Sequence, residues 1–232
     1  MTRAKTPTSF SYSGIIILFI CILILGSSCQ KKTIPIPTKP DPTNPTTPTD
    51  PTGSNIVYTN VDPDSIILRS TTDSFNLDLN NDGITDFAFA DAFLYTQCGD
   101  LGAGAGIKLF VTPANIDNAV MNDKTNFTLA LDSGAVIDPD STWANSLQIL
   151  VEGTTNGRCD PFVSGNWLRA SDKYLGLKFT KNNNSYYGWA RFTCSYYRYP
   201  GSLAQLVKGI LTLQDYAYNS LPGQPIFAGQ TK

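Results

Sequence analysis

Histidine is absent from this chain of 232 residues, and Glu152 is its only glutamate. The lack of histidine excludes Ser-His-Asp and Cys-His catalysis and every zinc site with an imidazole ligand. An enzyme built on this chain would have to use aspartate, tyrosine, lysine or Glu152.

The chain also lacks an excess of basic residues. Its 17 lysines and arginines stand against 19 aspartates and glutamates, a formal net charge of −2. A nucleic-acid-binding domain needs a basic patch that neutralises phosphates. We therefore expect no nucleic acid among the partners.

Near its start the chain has an apolar run that is too short to cross a bilayer. Ile15 to Leu25 are unbroken apolar residues, eleven in number, whereas a spanning helix needs about 20. Arg3 and Lys5 precede the run, and no acid does. This arrangement is typical of a secretory signal peptide with a short apolar core.

The junction at residues 25–29, Leu-Gly-Ser-Ser-Cys, resembles the lipobox of bacterial lipoproteins. The resemblance implies a signal peptide over 1–28, cleavage before Cys29, and acylation of that cysteine; Gly26 stands where the family most often has leucine. Several acyl chains anchor a protein stably to a membrane. Gln30 is not an acidic retention signal, so we expect the outer membrane or cell surface. The alternative is an uncleaved signal anchor.

Residues 29–54 follow as a spacer. Proline and threonine recur through most of this segment. Proline at such density favours extended polyproline II and forms no packed core. We predict a stalk between the lipid anchor and a single domain at 55–232.

Residues 55–232 show short β-branched and aromatic runs broken by Asp, Asn, Gly and Pro. This pattern predicts an all-β fold, an antiparallel and jelly-roll-like β-sandwich. Any helix would be short, near 113–120 or 141–146. The polar residues 181–185 predict a hairpin turn between two alternating strands. The predicted strands are 55–59, 65–70, 74–79, 86–95, 107–112, 127–132, 147–152, 174–180, 186–196 and 206–216.

The segment 78–86 reads as an oxygen-rich loop between two strands. Its Asp-x-Asn-x-Asp-Gly-x-x-Asp spacing matches positions 1, 3, 5, 6 and 9 of the EF-hand calcium loop. Phe89 replaces the glutamate of position 12, so Asp64, Asp73, Asp91 or water must complete the shell. The alternative is a metal-free turn. The predicted ligands of a structural calcium ion are Asp78, Asn80, Asp82, Asp86 and the backbone carbonyl of Ile84.

Three of the five cysteines fall in the predicted domain. Cys98 and Cys159 have turn-forming neighbours, whereas Cys194 lies in an alternating run. We predict a disulfide between Cys98 and Cys159, with Cys194 buried as a free thiol. The alternative is three reduced, buried cysteines.

The C-terminal third carries three short motifs. They are Tyr-Gly-Trp-Ala-Arg-Phe at 187–192, Asp-Tyr-Ala-Tyr at 215–218 and Pro-Gly-Gln-Pro-Ile at 222–226. Together with the Asp-rich loop, they resemble a recurring domain of secreted and surface-anchored bacterial proteins. The resemblance implies an extracellular β-rich domain and no particular activity. Asn219 stands where that family usually has glutamate.

Two further groups of residues invite a ligand or a reaction. Asp138 and Asp140 could form a glycosidase pair, but a proline between two acids is more simply a turn. Five aromatic residues could stack on sugar rings or pack across strands, and we favour packing. They are Trp167, Trp189, Tyr196, Tyr197 and Tyr199.

The sequence predicts a surface-anchored lipoprotein with a non-catalytic, calcium-stabilised β domain for adhesion or display. One alternative is a glycan-binding module of a surface uptake system, and another is a hydrolase that uses carboxylates. The expected partners are the membrane, through the lipid anchor, and a glycan or another surface protein.

Overall fold

The computed structural model of the protein describes residues 54–68, 73–97, 103–156, 159–198 and 207–232. Alternating apolar and polar residues form strands in each of these ranges. These residues contain no helix, and so none that is long and apolar enough to cross a membrane. The predicted signal peptide, Cys29 and nearly all of the stalk lie outside them. The strands are β1 (Ile56–Leu68), β2 (Ser74–Leu77), β3 (Phe87–Gln97), β4 (Ala103–Pro113), β5 (Ala119–Met121), β6 (Val136–Ile137), β7 (Trp143–Ala144), β8 (Gln148–Asn156), β9 (Cys159–Ser164), β10 (Lys173–Lys181), β11 (Asn184–Arg198), β12 (Val207–Asn219) and β13 (Ile226–Phe227).

Eleven of these strands form two sheets. The six-stranded sheet has the order β1-β12-β11-β10-β5-β7, and the five-stranded sheet has the order β2-β3-β4-β8-β9. The short strands β6 and β13 pair with each other. All pairings between these strands are antiparallel. The structure confirms the predicted all-β, antiparallel, sandwich-like class.

The facing sides of the two sheets form the main core. Phe89 of the five-stranded sheet contacts Phe192 of the six-stranded sheet, with ring centroids 5.1 Å apart. The edge of Trp167 packs against Phe192 at 5.9 Å. Leu109 and Val111 are fully buried on the same face of β4. Each such side chain contributes about 1.5–3 kcal/mol by leaving water.

The outer side of the six-stranded sheet carries a second, smaller core. Trp189 and Ala217 point to this side, where Ile137 and Ile226 of the β6–β13 pair cover them. The Trp189 indole N–H donates a hydrogen bond to the Gln230 carbonyl at 3.2 Å. The C-terminal residues therefore belong to the folded core of the domain.

The β10–β11 hairpin agrees with the sequence-based prediction. Lys181 pairs with Asn184, and Asn182 and Asn183 between them have φ angles of 51° and 61°. Positive φ at both central residues is the type I′ turn that suits the twist of a hairpin. Asparagine tolerates this conformation because its short polar side chain bonds locally.

Two local predictions differ from the structure. β1 runs through both of the strands predicted at 55–59 and 65–70, with an irregularity between Asn60 and Ser65. Residues 127–132 form only isolated bridges, since their partners change from Ile149 to Met121 to Tyr174 along the chain. Near 113–120 and 141–146, where any helix is expected to be short, the structure has turns and the short strands β5 and β7. In the first of these stretches the Asp117 N–H donates to Asn115 Oδ1 at 3.1 Å, an Asx turn that competes with helix.

Candidate metal centre

The loop of residues 78–86, between β2 and β3, is the candidate metal centre. The strand ladder ends at the pair Leu77 and Phe87, and the Asp86 N–H donates to the Leu77 carbonyl at 2.9 Å. Asn81 and Gly83 turn the chain with φ angles of 56° and 85°. Open space surrounds Gly83, so this position needs glycine for its φ angle and not for room.

Asp78 organises the backbone of the loop. Its Oδ1 accepts a hydrogen bond from the Asp82 N–H at 3.1 Å, and its Oδ2 accepts one from the Gly83 N–H at 2.6 Å. Asp82 Oδ1 accepts a bond from the Ile84 N–H at 3.0 Å. These hydrogen bonds curl the loop around its first and fifth positions, Asp78 and Asp82.

Asp86 is the buried carboxylate of the loop, with 5% of its surface exposed. Its Oδ2 accepts a hydrogen bond from the Leu79 N–H at 2.9 Å. Burial, with smaller contributions from the charges of Asp78 and Asp82, raises the pKa of Asp86 to about 6, against the lowering effect of the hydrogen bond from the Leu79 N–H. A cation beside Asp86 would relieve this cost, because an opposite charge favours the ionised form.

Asn80, like Asp86, has a side-chain oxygen that a bound cation would stabilise. Its side-chain oxygen is buried and has no hydrogen-bond donor. A buried acceptor without a donor is costly, about 1–3 kcal/mol, and such groups in native proteins usually have a partner. Asn80 is also the amide ligand that the sequence predicts. The donor set of the loop therefore fits a hard, oxygen-seeking cation.

The loop is fixed to the six-stranded sheet as well as to its own strands. The Tyr216 hydroxyl donates to Asn81 Oδ1 at 3.2 Å, and Lys181 Nζ lies 3.1 Å from Asp82 Oδ2. Leu79 is buried in the core shared by both sheets. The loop thus links the β2–β3 edge to β10 and β12.

The predicted ligands share one loop, but their carboxylates do not converge on one point. Within the ranges that the structure describes, no three His, Cys, Asp or Glu side chains form a group that could hold a metal. Backbone N–H groups occupy both oxygens of Asp78, and Lys181 pairs with Asp82. A cation would have to displace some of these contacts. Calcium binding therefore stays a prediction.

The carboxylates considered for completing the shell lie elsewhere. Asp91 follows Asp86 by five residues along β3, about 16 Å at 3.3 Å per residue. The β2–β3 register places Asp73 next to Asp91, and Asp64 lies on β1. Burial and the charge of Asp73 raise the pKa of Asp91 to about 6. Water is then the ligand that would complete a shell at residues 78–86.

Only part of the cysteine prediction falls in the described residues. Cys194 is a buried free thiol, as predicted, and burial raises its pKa to about 12. Cys98 lies outside these residues, and the side chain of Cys159 is not described either. The disulfide between Cys98 and Cys159 stays a prediction.

The two other candidate groups have structural roles. Trp167 and Trp189 are 0% and 1% exposed, so these two rings pack in the cores and offer no platform for sugars. The Tyr196 hydroxyl donates to the Gly153 carbonyl at 3.0 Å. Asp138 Oδ1 accepts a bond from the Ser141 hydroxyl at 2.8 Å, within the turn predicted at Asp138 and Asp140. The side chains of Tyr197 and Tyr199 lie outside the described residues.

The sequence did not predict two further contacts, because each joins distant parts of the chain. Asn118 donates from Nδ2 to the Asp86 carbonyl at 3.2 Å and accepts the Thr180 N–H on Oδ1 at 2.9 Å. Arg191 binds Asp215 through two bonds of 2.8 Å each. The second pair explains the Arg and Asp of the two C-terminal motifs, and the recurrence of those motifs was its only signal.

No family model, curated protein or solved structure matches this chain. The resemblances to the lipobox and to a surface-anchored bacterial domain therefore rest on the motifs alone. The geometry itself supports a loop of oxygen donors that joins the two sheets of a β-sandwich.

Proposed function

We propose that this chain is a surface-anchored bacterial lipoprotein whose non-catalytic β domain is stabilised by one calcium ion and serves adhesion or display. The observation that carries the proposal is the donor set of residues 78–86. There a buried oxygen of Asn80 lacks a donor, and burial raises the pKa of Asp86. A calcium ion, which prefers oxygen ligands, would satisfy both groups at once.

The contacts of the loop support a structural role for the ion. Asn81 and Asp82 contact Tyr216 and Lys181 on the six-stranded sheet, while the ends of the loop belong to the five-stranded sheet. An ion that fixes the loop would also fix this connection. Its removal would leave the charges of Asp78, Asp82 and Asp86 to repel one another.

The expected affinity suits a protein outside the cell. A loop without the bidentate glutamate of position 12 has fewer charged ligands, and extracellular calcium modules bind with Kd near about 10⁻⁴–10⁻³ M. Binding to the folded state alone stabilises it by about 2.7 kcal/mol when calcium is a hundredfold above Kd. The ion would thus stabilise the domain where calcium is plentiful.

The sequence before the domain supports display at a membrane. Cys29 would carry the acyl chains, and the stalk of residues 29–54 would extend to about 80 Å at 3.1 Å per residue in polyproline II. Such a spacer holds a domain clear of surface polymers. Adhesion and display both make use of that distance.

Lipid attachment is tested by metabolic labelling of cells with a palmitate analogue. We expect the wild type and Cys21→Ser to be labelled and Cys29→Ser to lose its label. Cys21→Ser is the matched control, since it removes a cysteine from the apolar run without touching the cleavage junction. Equal labelling of all three proteins, or labelling of none, would contradict the proposed anchor.

A further inference from the structure

An open cleft lies at one edge of the six-stranded sheet, where β5, β7 and β10 meet. Its volume is about 570 Å³, within the range of about 300–1,000 Å³ that small-ligand sites occupy. Polar groups form most of its lining, and a tryptophan ring forms one wall. The lining includes Asp117, Trp143, Asn145, Lys178, Thr180 and Asn183.

Trp143 is held as a fixed aromatic wall. Its indole N–H donates to the Asp138 carbonyl at 3.1 Å, and its ring packs against Tyr187 with centroids 5.7 Å apart. Trp143 is half-buried, whereas Trp167 and Trp189 are fully buried. It is thus the tryptophan of this chain that a solute can reach. A held aromatic ring binds a flat apolar surface at little cost in side-chain entropy.

The polar lining offers donors and acceptors without a net charge. The carboxylate of Asp117 and the ammonium of Lys178 balance each other, and Lys178 Nζ lies over the Trp143 ring at 5.8 Å. Asn145 and Asn183 add exposed amides. This lining suits a ligand with many hydroxyls, and its balanced charge disfavours an anion or a cation.

The part of the lining formed by Thr180 and Asp117 is preorganised by hydrogen bonds. The Thr180 hydroxyl donates to the Asp117 carbonyl at 3.3 Å, and the Thr180 N–H donates to Asn118 Oδ1 at 2.9 Å. Asn118 is buried and also binds Asp86. Walls that are fixed before binding reduce the entropy that a ligand must lose.

We propose that this cleft binds a neutral saccharide, whose apolar ring face displaces the Lys178 ammonium from the Trp143 ring and stacks there, while its hydroxyls bond to Asn145, Asn183 and the neighbouring polar groups. A sugar ring combines one apolar face with a rim of hydroxyls, and the cleft combines one aromatic wall with amide, hydroxyl and carboxylate groups. The proposal does not depend on the lipid anchor or on calcium.

The test uses the full chain in a detergent without a sugar headgroup. A panel of neutral hexose oligosaccharides is screened together with matching uronic-acid oligosaccharides, and the neutral sugar that binds best is titrated. Trp143 is the reachable tryptophan, so binding should reduce quenching of tryptophan fluorescence by acrylamide.

Three variants locate the binding site. Isothermal titration calorimetry measures the affinity of each variant, because Trp143→Ala removes the fluorophore that the quenching assay follows. Trp143→Ala should weaken binding by at least about tenfold, the loss expected when a central aromatic contact is truncated. Asn145→Ala should weaken it as well; the side chain is exposed, and the substitution removes one surface hydrogen bond, from Asn145 Nδ2 to the Ile116 carbonyl at 3.2 Å. Phe227→Ala, the control, removes an aromatic side chain that is 49% exposed outside the cleft and should change nothing.

Three outcomes would overturn the proposal. One is that no neutral sugar binds, and another is that the uronic acids bind more tightly. The third is a neutral sugar whose affinity is unchanged by both Trp143→Ala and Asn145→Ala, because such a sugar must bind elsewhere.

Discussion

Asp86→Asn should stabilise the calcium-free protein and at the same time abolish its response to calcium. The side chain is 5% exposed, and burial followed by the charges of Asp78 and Asp82 raises its pKa from 3.8 to about 6. One pKa unit corresponds to about 1.4 kcal/mol, so ionisation at neutral pH costs the fold about 3 kcal/mol. Asparagine has the same shape without the charge, and its Oδ1 can still accept the Leu79 N–H.

The size of the effect follows from these contacts. The new amide would face Asn118 Nδ2, which now lies 3.4 Å from Asp86 Oδ1, and this lost bond reduces the gain to about 2 kcal/mol. The bond from Asn118 to the Asp86 carbonyl remains. For a domain of this size, such a gain raises the melting temperature by about 4–8 °C.

Thermal unfolding followed by circular dichroism measures both parts of this prediction. The wild type, Asp86→Asn and the control Asp64→Asn, which changes an exposed acid on β1, are melted in excess chelator and in calcium at neutral pH. Asp64→Asn should behave like the wild type. The reasoning would be refuted if Asp86→Asn melted below the wild type in chelator, or if calcium stabilised it as much as the wild type.

Two further predictions concern pH and an ion pair. Burial raises the pKa of both Asp86 and Asp91 to about 6 in the folded protein. In chelator, the melting temperature should therefore rise as the pH is lowered from about 7 to about 5, because the fold regains stability as these acids are protonated. A melting temperature that stays flat or falls over this range would contradict the prediction. Arg191→Ala should cost about 3 kcal/mol in urea unfolding, the low end for a buried pair, because Asp215, which is 4% exposed, loses its cation but keeps the hydrogen bond from the Tyr58 hydroxyl. Lys173→Ala breaks a pair with Asp132, whose side chain is 82% exposed, and should cost less than about 1 kcal/mol; equal losses would show that burial does not set the strength of these pairs.

Local patterns predicted the features that depend on local physics. Alternation over residues 174–196 fixed the antiparallel pair β10 and β11, and asparagines at 182 and 183 suited the type I′ turn. The Asp-Gly spacing likewise placed the loop at 78–86 between two strands. In each case the residues that decide the conformation are within a few positions of one another.

The features that the sequence did not predict depend on contacts between distant residues. Thr128, Leu129 and Leu131 look like one strand, yet their N–H groups bond to three different segments. Asn118, Lys181 and Tyr216 reach the loop from far along the chain, and only the packing of the two sheets brings them there. Trp143 lines the cleft for the same reason: its strand β7 pairs with β5, and β5 pairs with β10. The hydrophobic periodicity of one segment carries no information about its contacts with distant segments.

The most direct test of the calcium-stabilised domain is the melting temperature of the wild-type chain in millimolar calcium and in excess chelator. Calcium that binds only the folded state should raise the melting temperature. The free energy of unfolding should increase by about 2.7 kcal/mol when calcium is in hundredfold excess over Kd. Magnesium should do less, since it demands a tighter octahedral shell, and Asp82→Ala should remove the dependence on calcium. The same melting temperature in calcium and in chelator would show that residues 78–86 are only a turn.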